Sequence, residues 1–198
     1  MDRPDIVILH RDHSHKDISS SKRNVAILEA AVDNAPRHFF YLSVDLKNLG
    51  RKEEAESACR SALALLPAER FEERYLTLLN LGQLSPEDAE ACYMEAIRMQ
   101  PHRREGYAHA CQRALGLGRL SDAIAWFKCM DAMPLPKPLP WTHQAMWHGW
   151  GRNLLRVRLL RALGRNDEAE AEHAQYMADA DYAEHSRQWD KHPSSNED

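Results

Sequence analysis

The sequence predicts an all-α chain of stacked helical hairpins, and two observations carry that expectation. Ala55, Ala89 and Ala123 recur at steps of 34 residues, Pro67 and Pro101 keep the same step, and Gly50 and Gly118 stand at twice it. A period of that length marks a helix–turn–helix unit that cannot bury its apolar side alone and so stacks on its neighbours. The chain is also 43% apolar and 28% charged over 198 residues, a balance that supports a packed core and excludes a wholly disordered polymer.

The elements follow in order. Residues 1–20 read as an irregular N-terminal segment, in which Ile6-Val7-Ile8-Leu9 is a short apolar β-type run that needs a neighbouring strand to form a ladder. Ser19, Ser20 and Ser21 offer N-caps for a helix over about 21–34, with Val25, Leu28, Ala31 and Val32 on one face. The spacing from Ala31 to Pro36 equals that from Ala62 to Pro67, so 21–36 reads as a half-repeat that starts the stack. The first full repeat, 38–67, carries Phe39, Leu42, Gly50, Ala55, Ala62 and Pro67. There the large residues fill the space between paired helices, and Ala55 must be small where the backbones approach. The second repeat, 70–101, keeps Leu76, Ala89, Tyr93, Ala96 and Pro101. Its turn differs, with Gly82 early and Ser85-Pro86-Glu87-Asp88 restarting a helix, Ser as cap and Pro in the first turn. The third, 104–134, keeps Tyr107, Gly118, Ala123, Phe127 and Pro134.

Then the period breaks: Ala123 to Ala169 is 46 residues, 12 more than the repeat. Prolines 134, 136, 138 and 140 fill the excess as a semi-rigid crossing over 134–140. A long helix over about 142–163 follows, then Gly164 to Ala169 repeats the turn seen from Gly50 to Ala55, giving an atypical fourth unit at 141–178. Residues 180–190 read as a capping segment with Tyr182 and Trp189 inward, and 191–198 as a disordered tail. The fold expected is therefore a tetratricopeptide-like helical-hairpin solenoid, about four hairpins within 21–190.

Composition narrows function only by exclusion. The net charge of −4 gives no global pull toward nucleic acid or anionic lipid, although eleven histidines would change that balance in acid. Cys59, Cys92, Cys111 and Cys129 form no C-x-x-C pair and read as reduced residues, three of them at apolar-face positions. No 18-residue apolar run is present, and the charged N-terminus does not read as a secretory signal, so a cytoplasmic location is expected.

Several clusters carry the right residue types for chemistry in weaker arrangements. His10, His13 and His15 with Asp5, Asp12 and Asp17 could ligate a metal, but on an extended stretch His10 faces away from the other two. His143 and His148 are five apart and do not share a helix face. Asp179-Ala180-Asp181 has the D-x-D form that nucleotide-sugar transferases use for a divalent cation, yet it follows a helix with no α/β sheet, so a helix-end turn is the expectation. Arg152, Arg156, Arg158, Arg161 and Arg165 could hold an anion, but the next helix supplies Asp167, Glu168, Glu170 and Glu172 for pairing. Trp141, Trp147 and Trp150 beside the Pro-rich crossing either pin it or form a contact patch.

By spacing, a groove lined by the first helix of each repeat would present Phe40, Val44, Lys47 and Asn48, then Arg74, Leu78 and Leu81. It would continue through Ala108, Gln112 and Leu115 to Leu154, Arg158 and Arg161. That mixture suits an apolar segment with some acidic character. Phe40 and Val44 occupy places where chaperone-binding relatives of such repeats carry Lys and Asn, so chaperone C-terminus binding is disfavoured.

The order of segments resembles the helical part that follows the catalytic domain in bacterial family 2 glycosyltransferases. There, a last strand runs into a His-containing loop, an "RN-x-x-x-LE" helix and an "FYLA…L…LGR…EA" repeat. This chain reads Ile6 to His10, then Arg23-Asn24-Val25-Ala26-Ile27-Leu28-Glu29, then Phe40-Tyr41-Leu42-Ser43 through Leu49-Gly50-Arg51 to Glu54-Ala55. Pro101-His102-Arg103-Arg104-Glu105 is similar to the family's "P-x-R-x-E" start of the next repeat. Met133-Pro134-Leu135-Pro136, the Trp-rich helix and Leu163-Gly164-Arg165 to Glu168-Ala169 are similar to its closing unit, so the likeness covers about 5–175.

The nucleotide-sugar-binding domain of that family has no counterpart here, and none of its catalytic residues can be carried over. The resemblance implies a non-catalytic accessory region, the C-terminal part of such a transferase or a partner to one. The alternative is a stand-alone adaptor that binds a peptide or protein in its concave groove. An enzyme built on the His cluster or the Arg row is a third class. No cofactor, metal or nucleic-acid partner is expected; a protein or peptide partner is.

Overall fold

The computed structural model describes residues 18–30, 36–134 and 144–184. The Ile6–Leu9 run, the histidines at 10, 13 and 15, Ala31, Val32, most of the Pro-rich crossing, Trp141, His143 and Trp189 lie outside the described residues. All regular structure among the described residues is helical. No helix there is long and apolar enough to cross a membrane. The chain divides into two compact units, Met1–Leu65 and Leu66–Asp198.

The first unit contains α1 (Ile18–Ala30), α2 (Pro36–Asn48) and α3 (Lys52–Leu65), with α2 and α3 forming a hairpin and α1 packing on α2. The three serines do not cap α1, which begins at Ile18. Ser21 lies buried inside it and donates to Asp45 Oδ1 at 2.8 Å, while Asn24 Nδ2 donates to Asp45 Oδ2 at 3.2 Å. One aspartate thus ties two helices, which local capping preference could not foresee. The buried face of α2 is Phe40, Ser43 and Leu46, one residue round from the expected Phe39 and Leu42, which are only half-buried. Buried Ser43 is satisfied by donating to the Phe40 carbonyl at 2.7 Å.

The second unit opens with two hairpins, α4 (Phe71–Leu84) with α5 (Ala89–Met99) and α6 (Arg104–Gly116) with α7 (Leu120–Asp131). A 3₁₀ helix, Ala145–His148, precedes a further hairpin of α8 (Trp150–Ala162) and α9 (Asn166–Tyr176), and 180–184 is helical again. The long helix expected over 142–163 is therefore broken at Gly149. Gly151 lets α8 start tight against the 3₁₀ turn, since a Cβ there would stand 2.9 Å from the Met146 carbonyl oxygen.

The turn of the repeat is built the same way three times. Gly118, at φ +69°, donates to the Leu115 carbonyl at 3.0 Å, and Arg119 reaches back to the Ala114 carbonyl at 2.8 Å. This paired closure of a helix end requires a left-handed residue, for which glycine is best suited. Gly50–Arg51 and Gly164–Arg165 repeat it. In each case the arginine then pairs with an acid three residues on: Glu54, Asp122 and Glu168. Ala55, Ala123 and Ala169 follow, all fully buried, as does Ala89 in the remaining hairpin.

Gly82 has a different role from the one expected of a turn glycine. It lies inside α4, and a Cβ there would run into the Tyr93 ring of α5. Ser85 to Asp88 form the turn instead, with α5 starting at Ala89 rather than at Pro86. We expect Gly82→Ala to destabilise the chain by roughly 1–3 kcal/mol through overpacking. The effect should be read as a lower urea midpoint with unchanged slope. An unchanged midpoint would mean that Tyr93 can move aside.

Candidate functional site

An opening in the second unit separates the third hairpin from the fourth. Ile124, Phe127, Lys128 and Asp131 fall on one face of α7, and Arg156, Leu159 and Leu160 on one face of α8, with Leu163 capping its end. With Arg165 from the turn they line a cleft of about 400 Å³. Its floor continues into the core: Phe127 and Leu159 belong to a cluster with Ala108, Cys111, Met130, Trp147 and Leu155. Leu160 belongs to a second cluster with Val157 and Ala169.

The rim is charged and held in place. Arg156 Nε donates to Glu172 at 2.6 Å, Arg165 to Glu168 at 2.6 and 2.7 Å, and Arg152 Nε to Asp131 at 2.6 Å. The hydrogen bond from Arg165 keeps the Glu168 carboxyl below the usual carboxylate range, and the bond to Glu172 pushes Arg156 up. Glu168 and Arg156 therefore stay ionised near neutral pH and are poorly matched to proton transfer there. Arg161 pairs with Glu170 at 2.9 Å. Arg156, Arg161 and Arg165 thus meet acids of α9, as the spacing suggested, while Arg152 reaches back to α7.

A second polar cluster sits at the start of α6, inside the protein. Arg103 and Glu105 are 1% and 0% exposed and pair at 2.9 Å, with the guanidinium 4.1 Å above the Tyr75 ring. Burial opposes the Glu105 charge, but the hydrogen bond and charge of Arg103 outweigh it and hold the carboxyl below its ordinary range. Tyr75 is pushed up by burial and then by Glu105, while its hydroxyl accepts the Gly106 N–H at 3.0 Å. Glu105 also accepts the Gln144 N–H at 2.8 Å, and Arg104 donates to the Met133 and Trp147 carbonyls. Arg103 to Glu105 therefore fasten α4, α6, the end of α7 and the 3₁₀ helix together. The cluster has the form of a structural clasp, with its carboxylate committed to donors.

The residues expected to line a first-helix groove differ in exposure. Phe40 and Leu78 are 8% and 7% exposed, and Leu81 and Ala108 are also buried, so their side chains are occupied with the interior. Val44, Lys47 and Arg74 are half-buried, and Arg74 donates to the Leu66 carbonyl at 2.8 Å. Asn48 is exposed and reaches Ser21 Oγ at 3.5 Å. Gln112, Leu115 and Leu154 are half-buried, with Leu115 against the core. Arg158 is half-buried, where burial pulls its pKa down and Cys111 counters.

Of the tryptophans described, Trp147 is 2% exposed and donates its indole N–H to Gln144 Oε1 at 2.8 Å, so it offers a partner no surface. Trp150 is half-buried at the start of α8. Asp179 Oδ1 accepts the Tyr182 N–H at 2.9 Å, so the D-x-D aspartate caps the last helical turn. Cys59, Cys92 and Cys111 are buried, and burial pushes the Cys111 thiol up to about 12, far from a reactive thiolate.

The cleft was not expected from the sequence, although Phe127 and Arg156 were singled out, because its walls come from the second helix of one hairpin and the first of the next. The available signal was the 46-residue step from Ala123 to Ala169, which marks where the spacing between hairpins departs from the rest. Compared with protein-family models, curated proteins and solved structures, the chain matches none of them.

Proposed function

We propose that this chain is a non-catalytic, tetratricopeptide-like interaction module that holds a protein partner in the cleft between α7 and α8. The observation that carries this reading is the cleft itself: about 400 Å³, an apolar floor of Phe127, Leu159 and Leu160, and a rim of fixed charges. Such a surface binds by burying apolar groups while the rim sets orientation. The successive hairpins and the 34-residue period support the repeat assignment.

The partner we propose is the catalytic domain of a family 2 glycosyltransferase, either joined to this region or docked on it. The order of segments from Arg23-Asn24 through Gly50-Arg51 to Gly164-Arg165 supports that choice. An antibody against this region tests it in the source cell, by immunoblot and by mass spectrometry of what it precipitates. The expected result is a band several tens of kilodaltons above 22.8 kDa, or a co-precipitated transferase. A band near 22.8 kDa with other partners would remove the transferase and leave a free-standing adaptor. No partner at all would remove both.

A further inference from the structure

We infer that the cleft takes a short amphipathic helix whose flanks are acidic, an inference that rests on the reading of this chain as a protein-binding module. Three features point to it. First, both walls are α-helices, whose backbone donors and acceptors are already used within the helix. They offer no strand edge for an extended peptide, so an occupant that satisfies its own backbone is favoured, which is the helix-in-groove mode.

Second, the cleft is small. At about 400 Å³ it lies near the lower end of the range for ligand clefts, roughly 300–1,000 Å³. It accommodates a few aliphatic side chains rather than a whole segment. Ile124, Phe127, Leu159, Leu160 and Leu163 would receive anchors spaced three and four apart on the partner.

Third, the rim has a sign. Lys128, Arg156 and Arg165 line the cleft against Asp131 alone. Counting the groups that pair with them, Arg152, Glu168 and Glu172, four cations face three carboxylates, with exposed Lys128 as the excess. Each guanidinium also carries five N–H donors, of which one carboxylate engages two. Partner carboxylates therefore meet net positive potential and spare donors, whereas partner lysines are repelled.

The test uses the full chain and three fluorescein-labelled helical peptides of about fifteen residues. All carry leucines at helical spacing, flanked by glutamate, glutamine or lysine. In anisotropy titrations the glutamate peptide should bind most tightly and the lysine peptide least. Lys128→Glu should weaken the glutamate peptide about fivefold, the scale of reversing one exposed charge, and strengthen the lysine peptide. Circular dichroism should be unchanged, since Lys128 is exposed.

Equal binding of all three peptides would overturn the acidic assignment and leave the protein-binding reading standing. Failure of all three to bind would remove both. Self-association of the free chain in sedimentation, abolished by Lys128→Glu, would assign the cleft to a second copy and overturn the inference.

Discussion

Glu105→Gln should cost about 3–5 kcal/mol of unfolding free energy, the range for removing one partner of a buried ion pair. The carboxylate is fully buried and accepts from Arg103, Tyr75 and the Gln144 backbone. Without its charge the Arg103 guanidinium remains inside the protein over the Tyr75 ring, with Glu72 at the edge as its remaining carboxylate. The gross penalty comes from a buried charge left with less compensation and is not the net contribution of the pair. Replacing both, as Arg103→Met with Glu105→Leu, should therefore cost less than Glu105→Gln alone. Urea unfolding of the three proteins decides the matter, and a double variant worse than the single would show that the pair contributes net stability.

The same carboxylate gives a pH signature. Its folded pKa is depressed below its unfolded value of about 4.3, so the unfolded chain binds more protons in the window between the two. The stabilisation is complete above that unfolded value and is lost as pH falls through the folded one. Glu105→Gln should flatten the acid limb of stability against pH. A limb of unchanged steepness would mean that other carboxylates dominate acid unfolding.

What the sequence made legible follows from which interactions are local. Gly50, Gly118 and Gly164 close helix ends within six residues, and each following arginine finds its acid three residues on, so a short motif contains the whole interaction. Ala55, Ala89 and Ala123 were legible because close approach tolerates only small residues at a fixed step. Non-local contacts were not. Phe39, Phe40 and Tyr41 are three large residues in a row, and tertiary packing selects Phe40 for burial. Gly82 looks like a turn residue until Tyr93 is seen against it. Ser21 looks like a cap until Asp45 comes alongside. The cleft is a gap between two helices, and a gap has no motif of its own.

Trp147→Ala carries the other large expected effect, a loss of about 3–5 kcal/mol. The indole is buried among Phe127, Met130, Leu155 and Leu159, edge-on to His109 with ring centroids 5.5 Å apart. Its backbone carbonyl receives Arg104 at 3.3 Å, and its N–H reaches Gln144 Oε1 at 2.8 Å. Alanine leaves a cavity where these elements meet and strips the half-buried Gln144 amide of its donor. Against a total stability of about 5–15 kcal/mol, that is a large fraction. Trp147→Phe should cost less, because most of the volume stays and chiefly the hydrogen bond is lost. The same substitutions also separate the two roles the tryptophans could have. A core residue loses stability and changes partner binding only through unfolding, whereas a contact residue keeps its melting curve and loses binding. Thermal and urea unfolding of Trp147→Ala beside wild type should show the first pattern. An unchanged midpoint would mean that the 3₁₀ helix is not fastened to α6 in solution, and that the cleft beside it has a different floor.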